Sequence, residues 1–187
     1  MEELDPAAHF GLFLNRNFLD AESCARLLVE VNSSPTTQAP VYIEGSEGTI
    51  HEKVRKTTSL HPSDETISAM WNRLFQQKPL LEDHFGQDLT DCERPQFLRY
   101  KEGDFFVRHQ DGNTKQLDFD HLRVRRISIV VFLNKDFSGG ALKFHDGPTT
   151  FDLLGQAGLL VAFRADMFHE VSPVIRGERF TMITWFR

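Results

Sequence analysis

A mainly β fold with flanking helices (α+β) is what this sequence predicts, on three observations. From Pro95 onward, apolar and polar residues alternate in short runs, each closed by turn-forming residues such as Ser138-Gly139-Gly140, Asp146-Gly147-Pro148 and Arg176-Gly177. About eight strands so spaced indicate a β-sandwich or barrel, of which the jelly roll closes two sheets around a cavity. Before Pro95 the period becomes that of amphipathic helices, broken by a hairpin. At 187 residues one domain, 1–187, is expected, with a helical and hairpin part over 1–93 and a jelly-roll core over 94–187.

Phe10, Leu12 and Leu14 alternate in an opening extended segment over Phe10–Phe18. Asp20 is a suitable N-cap, and Cys24, Leu27, Leu28 and Val31 follow at i, i+3, i+4 and i+7 on one helical face. Asn32-Ser33-Ser34-Pro35 ends that helix. Val41-Tyr42-Ile43 and Thr49-Ile50-His51 flank Glu44-Gly45-Ser46-Glu47-Gly48, whose glycines suit a hairpin or a mobile loop. A further strand runs through Val54–Leu60. The next helix starts at Pro62 or Ser63 and carries Ile67, Met70, Trp71, Leu74 and Phe75 on one stripe, read as packing against a sheet. A short helix over Pro79–Phe85 stops at Gly86. The strands expected after it are Gln96–Lys101, Phe105–His109, Val124–Leu133, Ala141–His145, Thr149–Leu153, Leu159–Phe163, Glu170–Val174 and Arg179–Phe186. Gly112–Arg123 reads as an exposed polar loop containing Asn113, Lys115, Asp118 and Asp120. Arg123, Arg125 and Arg126 read as a solvated strand face.

The 27 acidic and 21 basic side chains leave a formal charge of −6, which argues against a general footprint for nucleic acid or an anionic membrane. The 17 phenylalanines suit a core rich in ring contacts. Cys24 and Cys92 are expected to be buried, reduced thiols. No apolar run approaches the roughly 20 residues that span a bilayer. The opening Met1-Glu2-Glu3-Leu4-Asp5 is acidic and lacks the basic-then-apolar order of a signal peptide, so a cytoplasmic location is expected.

The chemistry gathers around Arg108-His109-Gln110-Asp111-Gly112. On a strand, residues i and i+2 share a face, which would put the His109 imidazole and the Asp111 carboxylate in the same space. Far downstream, His169 sits in Met167-Phe168-His169-Glu170-Val171-Ser172-Pro173, and Arg179 stands ten residues later (179 − 169). Two histidines and one carboxylate form the three-ligand face that holds non-haem Fe(II) with coordination positions left open. An arginine beside such a metal has a use, because its planar fork clamps a carboxylate. Arg179, Thr181, Ile183 and Trp185 share one face of the last strand, so Arg179 points inward only if the whole set does. His51, His61, His84, His121 and His145 have no ligand-like spacing and read as exposed or structural. His9, near the terminus, is uninformative.

Taken together these pieces resemble the 2-oxoglutarate/Fe(II)-dependent dioxygenases, in their prolyl-hydroxylase-like branch. The resemblance runs from Phe97 to the C-terminus. It is carried by Leu98-Arg99-Tyr100, His109-Gln110-Asp111, the run Ile129–Asn134, the run Gly139–Phe144, His169-Glu170-Val171-Ser172-Pro173, Arg179 and Ile183-Thr184-Trp185. The approach to the first helix, Phe18–Cys24, is similar but less specific.

The resemblance implies a double-stranded β-helix (jelly roll, cupin-like) with N-terminal helices packed on one sheet. It implies His109, Asp111 and His169 as iron ligands, Arg179 as partner of the distal carboxylate of 2-oxoglutarate, and Tyr100 as a residue lining the cosubstrate pocket. The implied cofactors are Fe(II), 2-oxoglutarate and O2, with ascorbate as an optional addition. In one respect the chain departs from the pattern: Phe132 stands where some relatives carry a tyrosine that bonds the cosubstrate carboxylate, which leaves Tyr100 or Thr181 to supply a hydroxyl. The implied reaction couples decarboxylation of 2-oxoglutarate, to succinate and CO2, with hydroxylation of an unactivated C–H bond. A prolyl residue of a protein or peptide is the leading target. A free amino acid or other small molecule is the first rival, and a jelly-roll metal-binding module without turnover the second. By analogy, the hairpin around Gly45–Gly48 is a candidate lid.

Overall fold

The computed structural model describes residues 6–43, 46–113 and 120–187. In chain order they form α1 (Pro6–His9), β1 (Phe13–Asn15), α2 (Ala21–Ser33), β2 (Thr36–Gln38), β3 (Val41–Ile43), β4 (Ser46–Thr49), β5 (Arg55–Lys56), β6 (Thr58–Leu60), α3 (Asp64–Phe75) and α4 (Lys78–Phe85). The second half adds β7 (Gln96–Tyr100), β8 (Phe105–His109), the single turn α5 (Asp120–Arg123), β9 (Ile127–Phe132), β10 (Phe137–Gly139) and β11 (Leu142–Asp146). It ends with β12 (Thr149–Leu153), β13 (Leu160–Arg164), β14 (Phe168–Val171), β15 (Val174–Gly177) and β16 (Arg179–Phe186).

Two antiparallel sheets make the frame. The larger has strand order β1-β13-β9-β16-β7-β6-β2, and the smaller β12-β11-β14-β8-β5. The chain crosses from one sheet to the other between β5 and β6, at Thr57, whose buried hydroxyl donates to the Arg99 carbonyl at 2.8 Å. Residues from both sheets share one cluster, with Val130, Phe132, Val161 and Phe163 of the larger packed on Leu142, Phe144 and Leu153 of the smaller.

All six residues of β9 are buried, because this sheet is covered on both sides. Ile127, Ile129 and Val131 face outward and join Phe180, Met182 and Phe186 of β16 beneath Leu27 and Val31 of α2, Leu74 of α3 and Leu81 of α4. The opposite parity, Ser128, Val130 and Phe132 on β9 with Arg179, Thr181, Ile183 and Trp185 on β16, looks into the space between the sheets. The apolar period of the helices and the alternation of the strands thus meet at one interface.

The helix starts follow from their caps. The Asp20 carboxylate accepts from Ser23 N–H at 2.7 Å, and the Ser63 hydroxyl accepts from Thr66 N–H at 3.3 Å. Gly86 ends α4 with φ of 62°, a left-handed conformation natural to glycine.

Several expectations are corrected. The opening strand shrinks to Phe13–Asn15, because Pro6–His9 is helical; the alternation still sends Phe10 and Leu12 into the core. Ser138-Gly139-Gly140, read as a turn, lies partly in β10, which pairs with β15. The expected strand Glu170–Val174 is two strands, β14 and β15, parted at Ser172-Pro173, where proline has no N–H for a ladder. On α3, Leu74 is fully buried but Trp71 and Phe75 are 42% and 44% exposed. They sit at the margin, where the Trp71 indole donates to the Cys92 carbonyl at 2.7 Å and Phe75 stacks on Phe186. Within Gly112–Arg123, Leu122 is buried in α5, and Lys115 and Asp118 lie outside the described residues. The candidate lid is the β3–β4 hairpin, and Glu44 and Gly45 at its tip also lie outside them.

Candidate metal centre and its cavity

His109 ends β8 directly across from His169 on β14, which brings the two imidazole centroids to 4.2 Å. The pairing is irregular: His109 faces His169 but Phe106 faces Val171, so three steps on one strand match two on the other. Such a bulge lets Phe106 and His109, three apart, project onto the same inner face. The phenyl ring lies 3.6 Å from the imidazole, centroid to centroid, with 17° between planes. Asp111 is beyond the strand, so its nearness to His109 comes from a turn rather than from strand alternation. That turn is pinned by Asp111 and Gly112 N–H groups, which donate to the Ala165 carbonyl at 2.9 and 3.1 Å. Gly112 is required there: a Cβ would stand 2.5 Å from the Leu122 carbonyl oxygen and from Arg125 Cβ.

The ligand-type atoms of His109, Asp111 and His169 all lie within 4.8 Å of one another. Nδ1 of His109 is 2.7 Å from the Val107 carbonyl, and Nδ1 of His169 is 2.9 Å from the Met167 carbonyl. A carbonyl can only accept, so both Nδ1 atoms carry the proton and both Nε2 lone pairs are free. These Nε2 atoms face the same carboxylate, at 3.5 Å from Asp111 Oδ1 and 3.4 Å from Oδ2. Ser128 Oγ donates to Asp111 Oδ2 at 2.7 Å.

The electrostatics suit cation binding. Burial would raise the Asp111 carboxyl, but the His169 and His109 rings, in their protonated form, outweigh it and hold the group well below the usual carboxylate range. The Trp185 indole N–H, buried without a hydrogen bond of good geometry, acts on it in the same sense. His169 is pushed down to about 4 by burial and by His109, which keeps its lone pair available at neutral pH.

Arg179 lines the same cavity, of about 480 Å³, and is only 1% exposed. Its guanidinium carbon lies 4.9 Å from the Phe132 ring centroid and 5.1 Å from that of Tyr100. Nη1 donates to Thr181 Oγ1 at 3.3 Å, and Nε has no partner among the described residues. Burial pushes its pKa down to about 10, so it stays charged at neutral pH. A buried guanidinium with unspent donors and no facing carboxylate among the described residues is costly by itself, and a diacid's distal carboxylate fits the need. Phe132 offers no hydroxyl, as expected, and Thr181 rather than Tyr100 makes the hydrogen bond.

One expectation fails here. Arg125 is not on a solvated strand face: it precedes β9, follows the helical turn α5 and is 8% exposed. Its guanidinium stacks 3.5 Å from the Trp185 ring centroid and forks onto Glu93, with Nε and Nη2 donating at 2.9 and 2.7 Å. Strand parity could not apply to a residue outside the strand. Ser128 was also missed, although it left a signal: a lone hydroxyl at the inward parity of an otherwise apolar run. The Phe106 stack and the Glu93 fork left none.

A sequence model described as the 2OG-Fe(II) oxygenase superfamily, 2OG being 2-oxoglutarate, matches residues 95–187. A PKHD-type hydroxylase of Paracoccus denitrificans (strain Pd 1222) is 36% identical over 94 residues, 49% of this chain and 41% of that protein. One of Sphingopyxis alaskensis (strain DSM 13593 / LMG 18877 / RB2256) is 25% identical over 171 residues, 89% of this chain and 74% of that protein. The chain therefore spans about two fifths of the length of the first relative and about three quarters of the second. Among solved structures, a Pseudomonas putida prolyl-4-hydroxylase superposes with a TM-score of 0.73 at 24% identity, over 97% of this chain and 94% of that one. A prolyl hydroxylase from Trichoplax adhaerens, in complex with a hypoxia inducible factor peptide fragment, gives 0.74 at 16% identity, over 96% and 84%. Both likenesses are of fold, the double-stranded β-helix. The matched segment holds every residue of the His/Asp/His cluster and Arg179, and it is this half of the chain, residues 95–187, that belongs to the 2OG-Fe(II) oxygenase superfamily.

Proposed function

We propose that this chain is an Fe(II)- and 2-oxoglutarate-dependent hydroxylase of an unactivated C–H bond, with a prolyl residue of a protein or peptide as its target. The observation that carries the reading is the pairing of two features in one cavity. Two imidazoles, each held in its Nε2-free form by a backbone carbonyl, converge on a depressed carboxylate, and a buried arginine nearby has no carboxylate partner among the described residues.

In this reading His109, Asp111 and His169 hold the metal on one face of its coordination sphere. Ser128 keeps the Asp111 carboxylate turned toward the histidines. Arg179 receives the distal carboxylate of 2-oxoglutarate, with Thr181 and the Tyr100 and Phe132 rings fixing the guanidinium plane. Leu98, Leu142, Val171 and Ile183 make the intervening wall apolar, which limits water at the reacting end. Fe(II) and 2-oxoglutarate, when bound, supply the oxidising chemistry, the two atoms of O2 being divided between succinate and the new hydroxyl.

The test is 2-oxoglutarate turnover without a prime substrate, read as succinate release under Fe(II). Parent protein is expected to turn over slowly, His109→Ala not at all, and Arg179→Gln only at much higher 2-oxoglutarate. Removing the metal with a chelator should abolish the signal and added Fe(II) restore it. Succinate release by His109→Ala equal to the parent's would sink the reading. For the prolyl target, peptides with and without proline are compared for a hydroxylated product, and modification of proline-free peptides alone would refute it.

A further inference from the structure

Four arginines line the cavity: Arg55, Arg108, Arg125 and Arg179. Among the described residues lining it, Asp111 is the sole carboxylate, and it is committed to the two histidines and Ser128. In a chain of net charge −6, this concentration of cations runs against the composition. Arg125 is neutralised by its fork onto Glu93, and Arg179 is sealed at the floor. Arg55 and Arg108 form no ion pair with any described residue.

Both are nevertheless held in place. The Arg55 guanidinium carbon lies 4.8 Å from the Phe106 ring centroid, its Nη1 donates to the Pro40 carbonyl at 3.1 Å, and its buried Nε has no partner among the described residues. Arg108 lies 4.5 Å over Phe168. A guanidinium flattened on a ring keeps its edge donors free, and the ordering cost of holding it for a ligand is already met. The Phe106 ring also stacks on His109, at 3.6 Å between centroids. One phenyl ring therefore touches both Arg55 and an imidazole of the His/Asp/His cluster.

We propose that Arg55, assisted by Arg108, is a carboxylate clamp for the prime substrate, so that the substrate carries an acidic group close to its reacting carbon. The clamp rests on the hydroxylase reading for the chemistry after binding, but it concerns a different anion from 2-oxoglutarate. Arg179 belongs to β16 of the larger sheet and Arg55 to β5 at the edge of the smaller, so the two cations serve two carboxylates. The carboxylate comes from an Asp or Glu side chain of a peptide or from the α-carboxylate of a small acid.

Binding of fluorescein-labelled peptides, followed by anisotropy, tests the clamp. Mn(II) and saturating 2-oxoglutarate are present throughout to occupy the floor of the site. One peptide carries a proline flanked by glutamates; its twin carries glutamines. The parent is expected to bind the glutamate peptide about tenfold more tightly, a preference that shrinks as salt is raised. Arg55→Gln should bind both peptides equally, Arg55→Lys should keep part of the preference, and Arg108→Gln should weaken it. Displacement by N-acetylproline but not by its amide would support the same clamp with a small acid as its source. Equal binding of both peptides by the parent with no such displacement overturns the proposal, as does an undiminished preference in Arg55→Gln that melts like the parent. Binding needs no turnover, so absent succinate release would count against the hydroxylase reading and leave this result to stand separately.

Discussion

At the scale of single residues, the carboxylate arm of the cluster depends on two neighbours that touch no ligand. Ser128 donates the hydrogen bond that orients Asp111 Oδ2, and Gly112 lets the turn behind it pass under Leu122 and Arg125. Groups that orient metal ligands are commonly worth about 10- to 100-fold in metal affinity. Ser128→Ala is expected to weaken Mn(II) binding, titrated by electron paramagnetic resonance, by about tenfold. Gly112→Ala, which forces backbone to move, is expected to cost more. Affinity unchanged in both variants would show that Asp111 needs neither support.

At the scale of elements, the helices act as a lid on the outer face of the larger sheet. Leu74 of α3 is wholly enclosed there, so Leu74→Ala is expected to cost about 2–5 kcal/mol in urea unfolding. It should leave metal affinity intact, since it lies on the far side of the sheet. Glu30 of α2 ties that helix to the start of α3, accepting from Thr66 Oγ1 at 2.6 Å and from Ser63 N and Oγ at 3.0 and 2.8 Å. The Thr66 hydroxyl first, then the Ser63 donors, outweigh partial burial and hold its pKa below the ordinary 4.5. A group whose pKa is lowered by folding stabilises the protein above its unfolded value, and loses that contribution as pH falls through the folded one. Stability should therefore decline on acidification below about pH 4.5, and Glu30→Gln should flatten that limb of the curve. An acid limb identical in parent and variant would assign the decline to other carboxylates.

At the scale of the whole molecule, both free cysteines lie in the layer between helices and sheet. Burial pushes the Cys92 thiol up to about 11 and raises that of Cys24 as well. Reaction with a disulfide reagent at neutral pH is expected to be negligible in the folded protein, with two thiols appearing once it is unfolded. Rapid native labelling of either would mean that the helical layer opens readily. The described residues contain no helix long and apolar enough to cross a membrane.

What the chain reveals without coordinates is whatever is written locally or as chemistry. Alternation along Arg179–Phe186 was legible because one parity meets the helices and the other the cavity, and the caps at Asp20 and Ser63 because a side chain satisfies a nearby N–H. His109, Asp111 and His169 were legible as a group of ligand-type residues, and the fold brings them within 4.8 Å of one another, with Arg179 lining the same cavity. The tertiary structure decided the rest, because contacts between distant residues leave no period in a sequence. Only folding could set the bulge that turns Phe106 against His109, withdraw Arg125 from solvent onto Glu93 and Trp185, and leave Arg55 at the cavity with no counter-charge among the described residues.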